Sequence, residues 1–127
     1  MDSTRNNEEM TTEIALSEEQ IEAETEDLSA GLYTYVFKKP FEWDGKIYGQ
    51  LTFDFDSLTG RDTLAIEREL NANRIMVVVR TLSAEFQVRA AARACTEKIG
   101  IDALEALPAK DFEKIMNHVR NFFASAD

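Results

Sequence analysis

The 127-residue chain has one cysteine, Cys95, one histidine, His118, and one tryptophan, Trp43. A lone cysteine excludes an intramolecular disulfide and fits a cytosolic, reducing location. One histidine and one cysteine are too few for a tetrahedral zinc site. No apolar run approaches the roughly 20 residues that a membrane-spanning helix requires. The opening "MDSTRNNEEMTTE" contains no apolar stretch, so it is read as no secretory signal. Basic residues are almost missing from the first part of the chain. Residues 1–30 hold ten acids (Asp2, Glu8, Glu9, Glu13, Glu18, Glu19, Glu22, Glu24, Glu26, Asp27) against Arg5 alone, a net −9. Residues 31–127 hold 14 acids and 13 bases, a net −1. The acidity therefore belongs to a tail, and the body lacks the basic stripe that a nucleic-acid partner requires.

What is present divides in the same place. Residues 1–30 have no aromatic residue, and a mostly disordered tail is expected there. Within it, "SEEQIEAETEDL" opens on Ser17 with Gln20 three positions later, the pattern of a capping box. Ile14, Ile21 and Leu28 lie seven apart. Residues 31–127, 44% apolar over the chain as a whole, are expected to form a single globular α+β domain.

That domain opens with "KKPFEWDGKIYGQLTFDFD", from Lys38 to Asp56, two strand-like runs around Asp44-Gly45. Strand parity gives a criterion for the turn. A two-residue Asp44-Gly45 loop with uninterrupted pairing puts Phe37 opposite Thr52 and mixes aromatic with polar residues on one face. A three-residue Trp43-Asp44-Gly45 loop puts Phe41 opposite Ile47, Phe37 opposite Leu51, Tyr35 opposite Phe53 and Tyr33 opposite Phe55. All the large apolar residues then share one face, so this register is expected. A hairpin alone is unstable and needs a cover.

Helices follow to supply it. "TGRDTLAIERELNA" starts near Thr59 with Asp62 in the first turn, and Leu64, Ile66 and Leu70 are its expected contacts. "RIMVVVRTL" fits a strand, a helix continuation or an ordered connector. "SAEFQVRAAARACTEKIG" is read as a helix from Ser83 to Gly100, with Ala84, Val88, Ala91, Cys95 and Ile99 as its buried stripe. "PAKDFEKIMNHVRNFF" has Pro108 in its first turn and an apolar face of Phe112, Ile115, Met116, Val119, Phe122 and Phe123. The expected architecture is a β-hairpin packed on a small bundle of three to four helices.

No catalytic constellation emerges. Cys95 lies on a buried stripe, where thiols are usually inert, and its pairing with His118 is disfavoured. Asp54 and Asp56 alternate like residues facing water. "LTGRDT" lacks the spacing of a phosphate-binding loop. A binding protein rather than an enzyme is expected, with no metal and no cofactor.

"YVFKKPFEWDGKIYGQLTFDFDSLTGRD" and "IDALEALPAKDFEKIMNHVRNFF" together resemble phage tail assembly chaperones. The first shares a strand, a Lys-Pro, an acidic-Gly turn, an alternating strand and a Thr-x-x-Asp helix start. The second shares a Leu-Pro, an Asp-aromatic pair and a closing Val-x-x-Phe-Phe. The resemblance covers about residues 33–123, and the acidic tail falls outside it. It implies a non-enzymatic factor of the host bacterial cytoplasm, absent from the mature virion. Such a factor binds the tape measure protein, and the tail tube protein is a further partner. No membrane or nucleic-acid partner is implied. Self-association into a homo-oligomer is plausible, because a lone hairpin leaves strand edges open. The expected contact residues are Trp43, Phe41, Ile47, Phe122 and Phe123. An acidic inhibitor or adaptor that binds a basic partner is the alternative reading of the tail.

Overall fold

The computed structural model describes residues 31–125; the expected disordered tail and its Ser17 capping box lie outside the described residues. Two antiparallel strands, β1 (Leu32–Trp43) and β2 (Lys46–Asp54), form the hairpin. A 3-10 turn, Phe55–Ser57, leads into α1 (Gly60–Ala72). A connector with a second 3-10 turn, Arg80–Leu82, precedes α2 (Ala84–Ala94), α3 (Ile101–Glu105) and α4 (Ala109–Ala124). The α+β architecture is the expected one.

The turn is not the expected one. Trp43 pairs with Lys46, so the loop is Asp44-Gly45. Both residues have positive φ, 52° and 80°, as a type I′ turn demands. The expected parity is restored further down. Between the pairs Phe41↔Tyr48 and Val36↔Gln50, β1 advances five positions and β2 only two. Three extra residues are an odd number, so they exchange the faces of one strand relative to the other. The insert includes the exposed Lys38, Lys39 and Pro40. Proline has no N–H to give to a ladder, so it is tolerated where pairing lapses. Below the irregularity, Tyr33 faces Phe53 and Tyr35 faces Leu51. Phe55 is not paired with Tyr33 but lies in the 3-10 turn beyond the strand. Thr34 and Thr52 meet on the opposite face, their hydroxyl oxygens 3.3 Å apart.

Of the eight apolar residues expected on one hairpin face, all but Ile47 are buried. Ile47 pairs with Glu42 and is 71% exposed. The hairpin core is aromatic: Phe53 and Phe55 stack at 5.9 Å, and Tyr35 meets Phe37 edge-on at 5.3 Å. Ile66 and Leu70 of α1, Phe86, Val88 and Ala91 of α2, and Ile115, Met116 and Val119 of α4 complete it. Leu64, expected among these contacts, points outward and is 54% exposed.

Thr59 opens α1, its backbone N–H donating to Asp62 Oδ2 at 2.8 Å. Asp62 Oδ1 accepts from Arg93 Nε at 2.9 Å and so ties α1 to α2. The second helix stops at Ala94 rather than Gly100. At Cys95 the backbone turns extended and bridges Phe53, and Thr96 N–H donates to Thr52 O at 2.8 Å. Thr52 N–H in turn donates to Glu97 Oε1 at 2.9 Å. Residues 95–97 therefore satisfy part of the open edge of β2, a non-local demand that outweighs helix continuation. Pro108 sits one position outside α4 as its N-cap. Tyr35 donates its hydroxyl to Asp111 and fastens β1 to the start of that helix. Burial, reinforced by this carboxylate, pushes the Tyr35 pKa up.

Candidate interaction surface

Phe41 is buried at 8% exposure and belongs to the core. Trp43 is half-buried against it, the two rings nearly parallel with centroids 6.3 Å apart. Phe122 stacks on Phe55 at 5.3 Å, and Phe123 meets Phe86 edge-on at 5.3 Å. Both are half-buried and packed against the core. Of the five expected contact residues, Ile47 alone is freely exposed. The structure gathers Phe41, Trp43 and Ile47 at the hairpin tip but sets Ile47 on the other face.

A larger exposed apolar surface lies in the stretch whose sequence was ambiguous. After α1, Arg74 adopts a positive φ of 59° and Ile75 N–H donates to Leu70 O. These features end the helix, and the chain from Ile75 runs as a connector. Ile75 and Val77 turn inward and are half-buried, whereas Met76 and Val78 are 88% and 89% exposed. Val79 and Leu82 are exposed as well. Among the described residues, the backbone N–H groups from Met76 to Val79 find no acceptor. Two shallow grooves that share Asn71, Ile75 and Val77 adjoin the connector, one reaching Glu67, Leu70 and Arg80 and the other Arg74 and Met76. Arg80 donates to Glu67 Oε2 at 3.1 Å and lies over the Phe86 ring at 5.6 Å, so the end of the connector is anchored. Clustered apolar side chains in water mark an interaction surface. Its sequence signal was the β-branched "IMVVV" run with no partner strand nearby.

The remaining candidates for chemistry are separated or inert. Cys95 is buried, its Sγ 3.5 Å from Glu97 Oε1, and burial pushes its pKa up to about 11. His118 is half-buried, stacked on Tyr33 with centroids 3.7 Å apart and on Phe55 at 5.7 Å. Burial lowers its pKa to about 4. The imidazole is a packing group here, and its stacking partners are aromatic rings. Asp54 ends β2, and Asp56 lies in the following 3-10 turn beside Gly31. Among the described residues, no group of three or more His, Cys, Asp or Glu is placed to hold a metal ion. No helix among them is long and apolar enough to cross a membrane.

No protein-family model matches the chain, and neither does any curated protein or solved structure.

Proposed function

We propose that this chain is a tail assembly chaperone of a phage or prophage that binds the tape measure protein during tail morphogenesis. The observation that carries this reading is the exposed apolar connector Met76–Leu82, held on a small domain whose other large apolar residues are mostly buried. A holding chaperone needs such a surface to cover apolar segments of a long, aggregation-prone client. The sequence resemblance over about residues 33–123 supports the same role. Ile47 at the hairpin tip is a second contact, and tail-tube subunits are a further partner. The site of action is the host cytoplasm, and the chaperone is left out of the finished virion.

Co-expression with the tape measure protein encoded beside it tests the reading. The client should become more soluble and co-purify with the chain. Met76→Glu with Val78→Glu should abolish co-purification while leaving the circular dichroism spectrum unchanged. An unaltered chain that neither solubilises nor retains the client removes the proposal.

The net −9 of residues 1–30 favours a second reading, an acidic adaptor for a basic partner. Replacing Glu18, Glu19, Glu22 and Glu24 by Gln distinguishes the two. The adaptor reading requires partner binding to collapse, and the chaperone reading requires client binding to survive.

A further inference from the structure

We infer that the outward face of α1 and the connector after it form a docking surface for the chain's own acidic segment, residues 14–28. The first support is charge. Arg61, Leu64 and Arg68 are exposed on α1, and at 100° per residue they fall on one side of the helix with Ala72. Glu67 and Glu69 flank the opposite, buried side that holds Ile66 and Leu70. Both carboxylates are engaged, Glu67 by Arg80 and Glu69 by Arg89. Arg61, Arg68 and the exposed Arg74 have no ion-pair or hydrogen-bonding partner for their side chains among the described residues. Among the described residues, three unpaired cations thus share α1 and its C-terminal end with the exposed Leu64 and Met76. In a body of net −1, this face is locally cationic and apolar at once.

The chain carries a segment of the converse chemistry. Residues 14–28 include Glu18, Glu19, Glu22, Glu24, Glu26 and Asp27 with no base. Between them stand Ile14, Leu16, Ile21 and Leu28. The pairing of opposite charge around apolar contacts gives both register and affinity.

The second support is where that segment leaves the domain. Gly31 O accepts from Phe55 N–H at 3.1 Å. Gly31 also packs so closely on Asp56 that an added Cβ would lie 2.2 Å from the Asp56 carboxyl carbon. Asp56 is four positions before the first residue of α1. The tail therefore leaves the domain at Gly31, beside the turn that leads into α1. A flexible chain of ten residues spans roughly 17 Å, and α1 with its 13 residues is about 20 Å long. Stretched out, ten residues span up to roughly 33 Å, so the segment from Ile21 to Ile14 is long enough to lie along α1 to Met76 and Val78, and tethering raises its local concentration to the millimolar range.

Disulfide trapping in the full chain tests this without any client, so its outcome is independent of the chaperone reading. Ile21→Cys is combined with Val78→Cys in one variant and with Asn121→Cys in another. Asn121 is exposed and adjoins Phe122, which stacks on Phe55, and Phe55 N–H donates to Gly31 O where the tail begins. Native Cys95 is buried and stays out of the exchange. In low salt, the intramolecular Ile21–Val78 bridge should form about tenfold faster than the Ile21–Asn121 bridge. The preference should disappear in 1 M salt, where the screening length is about 3 Å, and on replacing Arg61, Arg68 and Arg74 by Gln. Equal rates at the two positions in low salt overturn the inference. Bridges that form between two chains rather than within one also overturn it, and assign the surface to a second copy.

Discussion

Trp43 stands next to the turn, yet its ring lies along Phe41 and not free in water. Half-burying an indole beside a buried phenyl contributes to stability through both area and ring stacking. Trp43→Ala should therefore lower stability by about 1–3 kcal/mol, read as a shift in the urea midpoint at unchanged slope. A midpoint shift under about 0.5 kcal/mol would instead make Trp43 a spare contact for a partner. His118 supplies a pH signature. Its folded-state pKa, about 4, lies below the ordinary 6.5 because burial disfavours the imidazolium. The unfolded chain therefore takes up the proton first. This contribution to stability is complete above pH 6.5 and is lost as the pH falls toward 4. His118→Phe keeps the stacking on Tyr33 and Phe55 and removes the proton site. Urea midpoints at pH 7 and pH 5 should fall less for this variant than for the unaltered chain.

Within the hairpin, two local rules competed. The sequence offered Asp-Gly, which favours a two-residue turn, and an aromatic alternation that demanded a single apolar face. Uninterrupted pairing satisfies only one of them, and the three-residue register was the consequence. The structure satisfies both by inserting three unpaired positions around Lys38, Lys39 and Pro40. Such an irregularity has little signal in the chain besides the proline, because it is fixed by the cover that α2 and α4 place on the aromatic face. The type I′ turn gives its own test. Gly45 has φ of 80°, where an L side chain is strained, so Gly45→Ala should cost about 1 kcal/mol in thermal or urea unfolding. A three-residue Trp43-Asp44-Gly45 loop also needs a left-handed Gly45, so the discriminating position is Asp44. With φ of 52°, Asp44→Gly should be neutral or slightly stabilising, whereas Asp44→Val should destabilise by about 1 kcal/mol or more. Other elements were more legible. The helix face Phe112, Ile115, Met116, Val119, Phe122 and Phe123 packs inward as its period predicts. The helix after Ser83 ends early because Cys95 and Thr96 are taken by the edge of β2.

For the whole molecule, the core is one cluster that joins the hairpin to all four helices. Phe53 is fully buried at its centre, beneath Tyr33 and beside Phe55. Phe53→Ala should cost about 3–5 kcal/mol, enough to unfold a marginal domain of this size, with loss of the cooperative thermal transition as the readout. The connector behaves oppositely. Met76 and Val78 are almost fully exposed, so Val78→Glu should leave stability within about 0.5 kcal/mol and change what docks on this surface.

The sequence by itself determined the split between an acidic tail and a nearly neutral α+β body, because composition and periodicity are local properties. Apart from Ile47, it also determined which hairpin residues are core, since alternation survives a shift in register as long as the cover is on one side. Only the tertiary structure decided the turn, the early end of α2 and the exposure of Leu64, Met76 and Val78. Each of these depends on whether a distant element arrives to pair with, bridge or cover the segment. The β-branched run after Arg74 reads as core material, but Met76, Val78 and Val79 stay exposed because no strand or helix among the described residues covers them.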